Sequence, residues 1–172
     1  PVLFFGQASA AQITERKITM STSQRAATGV SYAVSFKPAT SITATGMVVE
    51  FCANSPLVGS SCSAPTNGNT LEGFVGNTGS VSGSWVIDGT SDANTLILTH
   101  SGATLTAGST FTVTVSGVTN PTYDSVQPAT FYARILTYTG SPTGYTSTSP
   151  GSYTDQGGIA LTTNNQLTVN AR

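Results

Sequence analysis

Charge is what this sequence has least of. Lys and Arg total 6 and Asp and Glu total 7, so 8% of the 172 residues are charged and the net charge is -1, against roughly 25% charged residues in an ordinary soluble domain. The six basic residues (Arg16, Lys17, Arg25, Lys37, Arg134, Arg172) are scattered apart from one adjacent pair. A nucleic-acid partner is thereby excluded, because phosphate binding needs clustered cations that release counterions. No run approaches the roughly 18 to 20 apolar residues of a membrane helix. Histidine occurs once, as His100, and cysteine twice, as Cys52 and Cys62; four zinc ligands cannot be assembled from them.

Helical periodicity is missing as well. Instead, short runs alternate apolar and polar residues with period two between Gly, Pro, Asn and Ser. From Ser109 to Val118, Phe111, Val113 and Val115 share one face and Thr110, Thr112 and Thr114 the other, which predicts a strand with one core face and one wet face. Further strands are expected over Gly29–Lys37, Gly46–Cys52, Ser84–Asp88, Thr95–His100, Thr130–Thr139 and Ile159–Ala171. Turns are expected at Asp88-Gly89, Ser101-Gly102, Ala107-Gly108 and Asn120-Pro121, and long loops over 53–80 and 140–158. The length suits one domain. The expected fold is all-β: a single antiparallel β-sandwich, immunoglobulin-like or jelly-roll-like, with seven or eight strands plus an extended N-terminal strand.

Polarity is carried by hydroxyls, with 30 Thr and 22 Ser. Low charge with 38% hydrophobic residues indicates folding rather than disorder. Cys52 and Cys62, ten positions apart, read as a disulfide rather than as two free buried thiols. Such a bridge is worth about 2–3 kcal/mol in the chain-entropy model and implies an oxidising, extracytoplasmic compartment. No Asn-x-Ser/Thr acceptor with a permitted middle residue occurs.

Catalytic chemistry finds little to work with. His100 is the only imidazole, at a strand end, and reads as solvent-facing or turn-capping rather than as a base. The seven acids (Glu15, Glu50, Glu72, Asp88, Asp92, Asp124, Asp155) are thinly spread, which disfavours a glycosidase pair. Asp88, Asp92 and Asn94 offer oxygens to Ca²⁺, but without the spacing of a Ca²⁺ loop. Lys17 in the first strand and Asn170 in the last, with Glu50 as the assisting acid, are the residue types of a covalent crosslink; a solvated lysine is the plainer reading. No enzyme activity, metal or cofactor is expected. Late-chain tyrosines (Tyr123, Tyr132, Tyr138, Tyr145, Tyr153) suggest a sugar contact, with Tyr145 and Tyr153 in a Gly/Ser-rich loop as the candidates; otherwise they anchor that loop.

Phe51-Cys52-Ala53-Asn54-Ser55-Pro56-Leu57 with Cys62, Gly117-Val118-Thr119-Asn120-Pro121-Thr122, Thr130-Phe131-Tyr132-Ala133-Arg134-Ile135 and Gln166-Leu167-Thr168-Val169-Asn170-Ala171-Arg172 resemble secreted β-sandwich proteins of candidate-phyla (Patescibacteria-type) bacteria, over roughly residues 29–172. That resemblance implies a surface location rather than a chemistry. In architecture alone the chain is similar to TasA/camelysin-type and archaeal thread subunits, which polymerise by donor-strand exchange.

The N-terminal segment, residues 1–11, reads PVLFFGQASAA, similar to the end of a secretory signal. Placed before a sandwich spanning 12–172, it is expected to act as a donor strand: Val2, Leu3, Phe4 and Phe5 pair with a sheet edge of a neighbouring copy. Burial of each such side chain contributes roughly 1.5–3 kcal/mol. Head-to-tail use of two different surfaces gives an open filament. The alternative within the chain is that the segment folds back on its own domain. The function expected is an extracellular, cell-surface structural subunit of a pilus-like homopolymer; the alternative is a monomeric carbohydrate-binding adhesin or surface-layer module.

Overall fold

The structure, a computed structural model, describes residues 10–65, 80–122 and 129–164. Val2, Leu3, Phe4, Phe5, Glu72, Tyr123, Asp124 and Asn170 lie outside the described residues. Ten strands follow in order: β1 (Ala11–Gln12), β2 (Thr14–Met20), β3 (Val30–Lys37), β4 (Ile42–Cys52), β5 (Ser80–Val81), β6 (Val86–Ile87), β7 (Thr95–Leu105), β8 (Phe111–Val118), β9 (Ala129–Tyr138) and β10 (Asp155–Thr163). They form a four-stranded sheet, β2-β3-β8-β5, and a six-stranded sheet, β1-β10-β9-β4-β7-β6. The chain is thus an all-β sandwich. With β2, β3, β4, β5, β8, β9 and β10 in the places of strands A to G, the neighbours follow the A-B-E-D and G-F-C orders of immunoglobulin-like sandwiches.

All strand pairs are antiparallel except β1, which runs parallel to β10 with Ala11 opposite Asp155. Ala11, which the sequence reading assigned to the N-terminal segment, therefore opens the six-stranded sheet. Two residues later the chain buries Ile13 in the core and crosses to the other sheet as β2.

Between the sheets, alternate residues meet as alternation demands. Val34 and Phe36 of β3 and Val113 and Val115 of β8 face Met47, Val49 and Phe51 of β4 and Phe131, Ala133 and Ile135 of β9. Tyr32 is the polar exception in this core. Its hydroxyl donates to Asn120 Oδ1 at 2.7 Å, and Asn120 Nδ2 donates to the carbonyls of Thr22 and Gln24. Asn120 is read from sequence as a turn residue; in the structure it is a fully buried fastener between β3, β8 and the segment after β2.

Several strand boundaries differ from expectation: β4 begins at Ile42 rather than Gly46, β6 covers only Val86–Ile87, and β7 and β10 are shifted as well. Ser101-Gly102 is not a turn: β7 runs through it, and the two residues take up a bulge where the register against β4 shifts between Ala44 and Gly46. Gly102 N–H donates to His100 Nδ1 at 2.8 Å, so the side chain supplies the acceptor that the shifted ladder cannot. β10 begins at Asp155 rather than Ile159, because Asp155 to Gly158 already pair with Thr137 to Arg134.

Candidate functional site

The outer face of the six-stranded sheet carries the densest polar chemistry, and it is not wet. β4 is buried on both faces over Gly46–Cys52. Outward residues Val48, Ile97, Leu136 and Tyr138 form a second apolar cluster, covered by Val58, Tyr145 and Tyr153. Two loops, 53–65 and 140–154, fold back to make this cover. Each is seated against a glycine. A Cβ on Gly46 would lie 2.4 Å from Pro142 Cδ, and one on Gly158 would lie 2.5 Å from the Pro56 carbonyl oxygen.

Under the loops, Glu50 of β4 and Arg134 of β9 stand opposite each other in register. Arg134 Nη1 lies 2.9 Å from Glu50 Oε2, and the two side chains are 0% and 1% exposed. A guanidinium has five N–H donors, and the protein supplies a partner for each. Nε donates to Ser55 O, Nη1 to Glu50 Oε2 and Ser60 O, and Nη2 to Ser60 Oγ and Ser61 O. The carboxylate is equally occupied: Tyr145 donates to Oε2 at 2.8 Å and Ser147 to Oε1. Burial, then the adjacent Glu50 carboxylate, pushes the Tyr145 phenol far above its ordinary range, and burial does the same to Tyr138. Tyr138 donates to Pro150 O at 2.8 Å.

Cys52 and Cys62 are joined in a disulfide. The closed loop between them contains Ser55, Ser60 and Ser61, the residues that cage Arg134. Glu50, Cys52 and Cys62 are the one group of three metal-type ligands gathered among the described residues, and bridging of the two sulfurs to each other removes both thiolates from such a role. Chemically the arrangement is a lock: every donor of the cation is paired, both carboxylate oxygens are occupied, and two loops are tied to one sheet face.

The remaining sequence candidates separate. Tyr145 turns inward to Glu50, while Tyr153 packs edge-on against Tyr138, with ring centroids 6.4 Å apart. Asp88 Oδ1 accepts from Thr90 N–H, and Asp92 Oδ1 accepts from Asn94 and Thr95 N–H. The acids offered for Ca²⁺ are spent on their own turns. His100 packs against Trp85, with ring centroids 5.1 Å apart. Glu50 cannot serve a crosslink at Lys17. Glu50 points outward from the six-stranded sheet, whereas Lys17 is exposed on β2 of the other sheet beside inward Ile18, so the core lies between them. Sequence reasoning missed Arg134 as a site residue. The available signal was a lone charge in each of two apolar runs, MVVEFC and TFYARILTY.

No protein-family model and no curated protein matches the chain. Among solved structures, the crystal structure of BslA, described as a bacterial hydrophobin, is similar over 95% of this chain and 100% of that one, with 13% identity and a TM-score of 0.47.

Proposed function

We propose that this chain is a non-catalytic, extracytoplasmic structural subunit that polymerises head to tail, lending Val2–Phe5 as a donor strand to an adjacent copy. The observation that carries this reading is β1. Where the described chain begins, it is at once an edge strand, with Ala11 N–H donating to Thr154 O at 3.1 Å. In the sequence, the apolar block Val2–Phe5 precedes that edge strand by five residues. β1 covers β10 only at Asp155 and Gln156 before the chain leaves for the other sheet. Among the described residues, the outer side of β10 from Ile159 to Thr163 has no paired strand, between β1 at one end and a parallel bridge from Gln24 to Asn164 at the other. A donor and an unpaired edge on one domain are the two unlike surfaces that an open assembly uses.

Two further features support the reading. The Cys52–Cys62 bridge suits an oxidising compartment. Four of the described acids serve structure: Glu50 pairs with Arg134, Asp88 and Asp92 hold turns, and Asp155 Oδ2 accepts from Ala39 and Thr40 N–H. The test compares the full chain with one lacking residues 1–9, which keeps β1 intact. The short form should fold with an unchanged circular dichroism spectrum and stay monomeric in size-exclusion chromatography while the full chain assembles; equal assembly of both refutes the proposal. The second reading, a sugar-binding surface module, is favoured by the position of Tyr153 at the wall of a surface hollow.

A further inference from the structure

A hollow of about 250 Å³ opens beside the first half of β10, lined by Gln12, Arg16, Leu57, Tyr153, Gln156 and Gly158, with Pro56 and Val58 at its side. Its polar groups share one property. Among the described residues, no hydrogen bond or ion pair engages the side chains of Gln12, Arg16, Tyr153 or Gln156. Arg16 is half-buried all the same. It lies against Gly157, where an added Cβ would sit 2.6 Å from Nη1 and 2.7 Å from Cδ. Any larger residue at 157 would displace the guanidinium. Its charge contrasts with the other arginine of this sheet region, Arg134, whose five donors are all satisfied. No acid lines the hollow, and the neighbouring Glu15 is paired with Lys37 at 2.6 Å.

We infer that this hollow is a subsite for a carboxylate-bearing sugar residue of the uronic acid class. A planar guanidinium with free donors is matched to a carboxylate, which it can hold in two parallel hydrogen bonds. The two carboxamides both donate and accept, as ring hydroxyls require. The Tyr153 ring, fixed edge-on by Tyr138, offers an apolar wall with a polar tip. The volume is below that of pockets for drug-sized ligands, which fits one sugar ring rather than a folded peptide. This takes up the sugar-binding reading of Tyr153, adds Gln12, Arg16 and Gln156 to it, and replaces Tyr145. It is independent of filament assembly, because all its residues belong to one domain. In an assembly, repeated copies of a weak subsite would act multivalently on an acidic polysaccharide.

The test uses the full chain, with light scattering recorded alongside so that binding and assembly are read separately. Isothermal titration with tetragalacturonic acid should show binding, and neutral galactotetraose should show little. Arg16→Gln and Tyr153→Ala should each weaken binding about tenfold, the size expected for loss of a charge-assisted contact or its wall. Lys17→Gln, which removes an adjacent exposed charge, should change it less than about twofold. Gln156→Ala serves as a second probe should Tyr153→Ala unfold. The inference is overturned by equal binding of the neutral tetramer, by wild-type affinity in Arg16→Gln, or by inorganic phosphate competing as well as the uronate, which would mark a general anion site.

Discussion

Glu50 and Arg134 sit directly across from each other on the two central strands of the six-stranded sheet, 2.9 Å apart and shut off from solvent by loops that the chain supplies from both sides. Taking two charges out of water costs several kcal/mol for each ion, and their attraction repays this only when the remaining lone pairs and protons are satisfied. Here they are, down to the fifth guanidinium donor. The pair therefore determines which loops cover the sheet more than it adds net stability.

Breaking the pair from one side should be costly and breaking it from both sides less so. Glu50→Gln or Arg134→Met alone is expected to lower unfolding stability by about 3–5 kcal/mol, since each leaves a buried charge uncompensated. The double variant should lose less than the sum of the two. Urea denaturation of the four proteins in a double-mutant cycle gives the coupling, and additivity would contradict the lock.

Reduction of Cys52–Cys62 should loosen the cage around Arg134 without unfolding the sandwich. The expected loss is about 2–3 kcal/mol, with faster amide hydrogen exchange confined to residues 53–63. Mass spectrometry should find no thiol that labels before reductant is added and two afterwards.

Alkali should destabilise the fold through three phenols. Burial raises the native Tyr32, Tyr138 and Tyr145 well above the ordinary value near 10. Because the folded values lie above the unfolded one, the contribution is complete below pH 10 and is lost as pH rises beyond it, when the unfolded chain ionises first. Denaturant midpoints measured from pH 8 to 11 should be level and then fall. Tyr145→Phe should flatten that fall by one group.

Tyr32→Phe leaves Asn120 Oδ1 buried without its donor and should cost about 1–3 kcal/mol. Asn120→Ala should cost more, because it also strips the carbonyls of Thr22 and Gln24 of their partner. Thermal unfolding of the two variants reads the difference, and equal shifts would argue against the threefold role of Asn120.

The main core was legible because period-two alternation in β3 and β8 is unbroken and states which side chains point inward. The second core was not. It depends on where two loops land, and loop landing follows from long-range fits such as Pro142 on Gly46 and Pro56 on Gly158, which no local pattern records. The run around Glu50 reads from sequence as one more alternating strand, and one charge in such a run says nothing of its partner 84 residues away. The disulfide was legible from cysteine number alone. Its role as the clasp of an arginine cage was not, because backbone carbonyls do the binding and every residue has one. Tyr145 and Tyr153 look alike in a Gly/Ser-rich loop, and only the fold turns one inward and leaves the other at a surface hollow.

The central claim is that Val2–Phe5 join one copy to the next. Side chains alternate faces along a donor strand, so replacing Phe4 and Phe5 together by Ser removes an anchor whichever pair, Val2 and Phe4 or Leu3 and Phe5, enters the neighbour. The decisive measurement is negative-stain electron microscopy of the wild-type chain and the Phe4→Ser/Phe5→Ser variant at equal concentration, both first confirmed folded by circular dichroism. Regular filaments from the wild type and dispersed single domains from the variant are the expected result. Regular filaments from the variant would contradict donor-strand assembly and return the N-terminal segment to its own sandwich.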